Sequence, residues 1–109
     1  MQWHNLTTEE QIAQIKEESK AQKVMIFKHS TRCSISSMAK NRLERSWQEG
    51  EVSLKPYYLD LISYRNISNR LADEFGVLHE SPQVLVIENG SCVYDNSHMG
   101  INYNELKTL

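Results

Sequence analysis

The run Lys23-Val24-Met25-Ile26-Phe27-Lys28, continued by His29-Ser30-Thr31-Arg32-Cys33 and then by Ser34-Ile35-Ser36-Ser37-Met38-Ala39, decides how this chain folds. Lys23 to Lys28 is nearly continuous apolar sequence bounded by charge. That is the pattern of a strand buried on both faces, and therefore central in its sheet. From Ser34 to about Gln48, Ile35, Met38, Ala39, Leu43 and Trp47 recur at helical spacing, with Lys40, Arg42, Glu44 and Arg45 mostly elsewhere. Gly50 is expected to stop that helix. A buried strand feeding directly into a helix sets up a right-handed crossover to a parallel neighbour.

Working outward, Thr7 and Glu10 have the spacing of a capping box. The helix that follows shows Ile12, Ile15 and Ala13 on one face through about Ala21. Downstream, Val52 to Leu61 reads as a second strand, and its Pro56 argues for an edge position or a bulge. Ser63 to Phe75 carries Ile67, Leu71, Ala72 and Phe75 at helical spacing, and Gly76 stops it. Gln83–Glu88 and Ser91–Asn96 are strands joined at Asn89-Gly90, a pair suited to the type I′ turn, which needs φ > 0 at both central residues. Asn104 to Leu109 is a short terminal helix. The order α-β-α-β-α-β-β-α predicts an α/β protein with a mixed four-stranded sheet flanked by helices. This is the element order of the thioredoxin-like fold.

With 109 residues the chain is long enough for one domain, residues 1–109, and too short for two. A charge of −2 offers no attraction to nucleic acid or an anionic membrane, and neither is expected as a partner. No apolar run approaches the length of a membrane span. Met1 to Asn5 shows no basic stretch followed by a hydrophobic segment, so a cytoplasmic location is expected. The two cysteines are then expected to be free or reactive rather than a structural bridge.

Cys33 falls where the first buried strand has ended and a helix begins. The first amides of a helix lack intrahelical partners, and the helix dipole places positive potential there. Both favour a thiolate, the species that attacks disulfides, and Arg32 adds a cation beside it. The competing reading makes Cys33 an inert small residue at a helix start. Ser81-Pro82 precedes a strand that runs antiparallel to the first, so it lies at the same end of the sheet as Cys33. In that setting a cis Ser81–Pro82 bond is expected, turning the backbone of Ser81 toward a substrate backbone. The last strand returns Ser97, His98 and Gly100 to the same edge. His98 would there steady a thiolate or move a proton, or else be a solvated surface histidine. His29 and His79 flank this end. No pair of these residues has metal-ligand spacing, and no metal site is expected.

Cys92 lies just past the Asn89-Gly90 turn, roughly 20 Å from Pro82 at 3.3 Å per strand residue. A disulfide needs Cα atoms about 4.4–6.8 Å apart, so Cys92 cannot resolve Cys33 within one molecule. No C-x-x-C is present, because Ser36 stands where its second cysteine would be. The site is monothiol.

Lys28-His29-Ser30, Cys33 with Ile35-Ser36, His79-Glu80-Ser81-Pro82-Gln83, Asn89-Gly90, and His98 with Ile101 together resemble the YtxJ family of monothiol bacilliredoxin-like proteins, over about Lys23 to Leu106. The resemblance implies a thiol-disulfide oxidoreductase acting on mixed disulfides between protein cysteines and bacillithiol. Its partners would be S-thiolated client proteins, the low-molecular-weight thiol as co-substrate, and a recycling redoxin, with no bound cofactor. It implies that Ser36 replaces a resolving cysteine and that Pro82 is the substrate-facing cis-proline. The family pattern has Cys-Pro-Ile-Ser where this chain has Cys33-Ser34-Ile35-Ser36, so Ser34 restores a backbone donor that proline lacks. The alternative function is a redox-inactive interaction module built on the same fold.

Overall fold

Alternation along the central strand divides the interior into two layers. The computed structural model describes residues Met1–Leu109, and every residue of Val24–His29 (β2) is buried. The period of two sends successive side chains to opposite faces of the sheet. Val24 and Ile26 meet Ile12 and Ile15 of the helix Glu10–Glu18 (α1) and Ile67 and Leu71 of Arg65–Phe75 (α3). Met25 and Phe27 meet Ala39 and Leu43 of Ser34–Ser46 (α2), together with Trp47 and Leu106. Leu106 ends the short helix Tyr103–Leu106 (α4).

The sheet has five strands in the order β1-β3-β2-β4-β5, with β1 at His4–Asn5, β3 at Lys55–Asp60, β4 at Gln83–Glu88 and β5 at Ser91–Ser97. β3 runs parallel to β1 and β2, whereas β4 is antiparallel to both β2 and β5. The thioredoxin-like α/β reading therefore holds, with one strand more than expected. His4–Asn5 is too short for any hydrophobic periodicity to announce it. What holds it is Trp3, whose ring packs near Phe27 and Tyr58 and whose indole N–H donates to Glu44 at 2.7 Å. β3 is consequently not an edge strand. Pro56 still escapes the cost of its missing N–H, because β1 pairs only with Tyr57 and Tyr58.

Several local expectations shift. The Thr7–Glu10 capping box does not form. Gln11 instead reaches back, its Oε1 accepting the amides of Thr7 and Thr8 at 2.8 and 3.0 Å, and α1 begins at Glu10. α1 also stops at Glu18, short of Ala21, and Ala13 is exposed. On α2, Ile35 and Met38 are 52% and 60% exposed, and the buried stripe is Ser36, Ala39 and Leu43. α2 ends at Ser46, so Gly50 lies in the turn beyond it rather than at its cap. The Gly76 stop is as expected, in the left-handed region at φ 65°. Asn89 and Gly90 have φ of 51° and 78°, as the hairpin requires. A bulge at Val93 interrupts the β4–β5 register, where Val86 pairs with Tyr94 but Ile87 with Cys92. No helix is long and apolar enough to cross a membrane.

The layered core yields a contrast measurable by urea denaturation. Ile26→Ala, at a fully buried central position, is expected to cost about 2–5 kcal/mol. Val93→Ala, half exposed on the outer strand, is expected to change stability by less than about 0.5 kcal/mol.

Candidate active site

β2 ends at His29, and the turn Ser30–Arg32 carries the chain straight into α2. Cys33 is the N-cap residue of α2, in extended backbone at φ −112° and ψ 120°. Its amide donates to Ser30 O at 3.1 Å and its carbonyl accepts from Ser37 N–H at 3.1 Å, so the turn closes on both sides of the sulfur. The amides of Ser34, Ile35 and Ser36 make no backbone hydrogen bond, and no side chain caps them. They are the orphan donors of a helix start, here with a half-buried thiol at the cap position. Arg32 is exposed and takes part in no salt bridge, leaving its cation free beside Cys33; Ser34 is exposed as well.

Ser36 has an unanticipated partner. It is fully buried, and its hydroxyl accepts from Ser30 N–H at 3.0 Å while lying 2.7 Å from His29 Nδ1. The His29 ring packs near those of Phe27 and Tyr58. Burial, reinforced by the nearby Lys40 ammonium, pushes its pKa below the usual 6.5. The place of a second thiol is thus taken by a hydroxyl that ties the strand end, the turn and the first helical turn together. His29, named in the sequence only as a flanking histidine, is a structural partner of Ser36.

Across the sheet, Lys28 pairs with Gln83 in the antiparallel β2–β4 register, which sets Pro82 at the end of the sheet where Cys33 stands. The Ser81–Pro82 peptide is cis. The main-chain N–H and C=O of Ser81 make no hydrogen bond within the protein, and its buried Oγ has no partner. Pro82 O accepts from His98 N–H at 3.0 Å, anchoring the return of β5 to this edge. His98 is exposed, at φ 52°, with Nε2 3.7 Å from a Glu80 carboxylate oxygen. It opens the 3-10 turn His98–Gly100, which packs on α2. A Cβ at Gly100 would collide with the Asn96 side chain, which would have to shift. Thus Arg32, Cys33, Ser34, Ser36, Ser81, Pro82 and His98 share one end of the molecule.

Cys92 does not join them. It pairs with Ile87 on the hairpin, packs against the α1/α3 layer, and its Sγ lies 3.3 Å from Tyr94 O. Burial raises its thiol pKa above the usual range. Two further residues belong to this end. Lys28, which the charge pattern sets at the boundary of its strand, is 1% exposed, and Gln83 is buried with its side chain bonded to Lys28. The signal was present, because the alternation that puts Val24 and Ile26 in the α1/α3 layer puts Lys28 there too.

Ser36→Ala would strip a buried amide and a buried imidazole of their partner, an expected loss of about 1–3 kcal/mol in urea denaturation. The lowered pKa of His29 has a second consequence. Below pH 6.5 the unfolded chain binds the proton that folded His29 resists, so stability falls with pH through the folded value. His79, lowered chiefly by burial and then by Lys28, acts in the same direction. Between pH 6.5 and about 4.5, above the range in which Glu18 and Glu44 take up protons, the decline should be shallower in His29→Phe than in the wild type.

Comparisons with known proteins agree with this geometry. One solved structure, described as an oxidoreductase candidate with a thioredoxin fold, matches with a TM-score of 0.82 at 33% identity, over 95% of this chain and 89% of that one. The thioredoxin of Malassezia sympodialis matches with a TM-score of 0.72 at 17% identity, over 98% of this chain and 86% of its own. That of Fasciola hepatica matches at 0.73 and 15%, over 96% and 93%. At those identities the two thioredoxins speak for the fold alone. The family model described as "Monothiol bacilliredoxin BrxC" matches residues 4–106. By that match, which takes in nearly the whole chain, the protein belongs to the monothiol bacilliredoxin family and to its thiol-disulfide redox chemistry.

Proposed function

We propose that this protein removes a low-molecular-weight thiol, bacillithiol, from cysteines of S-thiolated client proteins, with Cys33 as the nucleophile. The observation that carries the reading is a half-buried Cys33 at the N-cap of α2, followed in the chain by three amides without backbone partners, with an oxygen at position 36. In the proposed exchange the Cys33 thiolate attacks the sulfur of the small thiol in the mixed disulfide. The client cysteine leaves as a thiolate and takes up a proton, and Cys33 is left joined to the small thiol. A second molecule of that thiol, or a recycling redoxin, attacks the Cys33 adduct and restores the thiolate. The electron count balances, since each step breaks one S–S bond and makes another. No bound cofactor or metal takes part.

Within this reading Ser81 offers free backbone groups to the client chain, and Pro82 stands beside the attacked sulfur. The exposed cation of Arg32 favours the anionic sulfurs of the exchange, and the Ser34 amide adds a donor. His98, solvated and close to Glu80, suits proton delivery to a departing thiol. Exposed Ile35, Met38 and Met99 give a client apolar contact near the thiol. The chemistry needs thiols kept reduced, which fits a cytoplasmic site of action.

The test is mass spectrometry of the protein after incubation with a bacillithiolated peptide. Wild type and Cys92→Ser should carry the small-thiol adduct on Cys33 and release free peptide, whereas Cys33→Ser should do neither. Alkylation followed against pH should find Cys33 reacting well ahead of Cys92, whose thiol is held protonated by burial. Partners that bind Cys33→Ser as well as the wild type, with no adduct formed by either protein, would instead identify an interaction module.

A further inference from the structure

Lys28 is a charged side chain inside the central strand, 1% exposed and in no salt bridge. Its Nζ donates to a neutral acceptor, Gln83 Oε1, at 3.1 Å. Burying an ammonium against an uncharged partner works against stability, so core stability does not account for its presence. The pKa of Lys28 falls to about 8, through burial and against the opposing field of Glu80.

The carboxamide it touches does further work. Gln83 Oε1 also accepts from Glu80 N–H at 3.4 Å, while Nε2 donates to Leu78 O at 3.0 Å. Gln83 therefore spans the three residues that lead into Ser81. Little else fixes that stretch from within, since Ser81 has no hydrogen bond and Leu78 is 86% exposed. An ammonium only donates, so it obliges Gln83 to present its oxygen. With the amide reversed, two N–H groups would face Lys28 and Glu80 N–H, and the Leu78 carbonyl would lose its donor. The Glu80 contact is at the long end for a hydrogen bond, so Lys28 is the stronger of the two donors to Oε1, while the Leu78 carbonyl holds Nε2.

We infer that Lys28 is a positioning residue for the proposed exchange: its ammonium orients the Gln83 carboxamide, and the carboxamide sets where Leu78 to Ser81 stand beside Cys33. The inference rests on the reading of Cys33 as the exchange nucleophile. The other charged or titratable groups around Lys28 are Glu80 and His79 on the same segment and Arg65 on α3, with His98 against Glu80 and Ser68 Oγ 3.3 Å from His79 Nδ1. Loss of the Lys28 proton as pH rises through about 8 removes the orienting charge.

The experiment compares wild type, Lys28→Met and Gln83→Met in four measurements: urea stability at pH 7, exchange with a bacillithiolated peptide, alkylation of Cys33 by iodoacetamide, and amide NMR signals of Glu80 and Ser81 against pH. Lys28→Met should be as stable as wild type or more so, and its Cys33 should alkylate within about twofold of the wild-type rate, yet its kcat/KM should fall about tenfold. In the wild type the Glu80 and Ser81 signals should move with a midpoint near pH 8, and in Lys28→Met that transition should vanish. Gln83→Met should reproduce the loss of turnover with Lys28 intact. The inference is overturned if Lys28→Met keeps wild-type turnover and the NMR transition. It is equally overturned if turnover falls only in step with stability or with Cys33 alkylation. A wild type that performs no exchange, while its Glu80 and Ser81 signals follow Lys28 as described, would discard the enzymatic reading and leave the positioning intact.

Discussion

The organisation of this site depends on a single buried hydroxyl. Ser36 accepts the Ser30 amide and meets His29 Nδ1, binding the end of the central strand, the turn and the start of α2 into one unit. Without that tie, Cys33 would sit at the junction of a strand and a helix with only the Ser30–Cys33 and Cys33–Ser37 main-chain bonds to fix it. The hydroxyl can accept and donate at once, and in a closely packed interior a satisfied polar link is more directional than apolar contact. Stiffness where the chain changes direction holds Cys33 at the N-cap of α2.

Much of the architecture was legible because the core obeys simple periods. The unbroken apolar run at Val24–Phe27 announced a central strand, the Asn89-Gly90 turn announced the last hairpin, and the thioredoxin-like element order set Gln83–Glu88 antiparallel to the first strand. That order brings Cys33 and Pro82 to one end of the sheet. The failures share a cause as well. Ile35 and Met38 fit a helical stripe but face outward, because the stripe that packs on the sheet runs through Ser36, Ala39 and Leu43 instead. The pair His4–Asn5 joins the sheet through tertiary contacts of Trp3, which no local pattern reports. Gln11 took the role expected of Glu10, one residue away, because either side chain can reach back to free amides.

The polar residues of the site were the least legible. Ser36, His29, Lys28 and Gln83 are all buried near the ends of β2 and β4, where composition alone suggests a solvated boundary. A lysine at a strand end is ordinarily exposed, and only strict alternation from Ile26 reveals that Lys28 points into a layer. The concentration of buried polar groups here is consistent with a site whose geometry is maintained at some expense of stability, while the rest of the core is almost entirely apolar.

The distance between Cys92 and Cys33 carries a further consequence. With oxygen at position 36 and the other sulfur at the far end of a hairpin, the folded monomer cannot close a ring on itself. Any disulfide formed at Cys33 therefore joins it to another molecule, and the bulk and charge of that product belong partly to whatever is attached. Release from such a disulfide requires a thiol from a second molecule, since the fold holds no other sulfur within reach of Cys33.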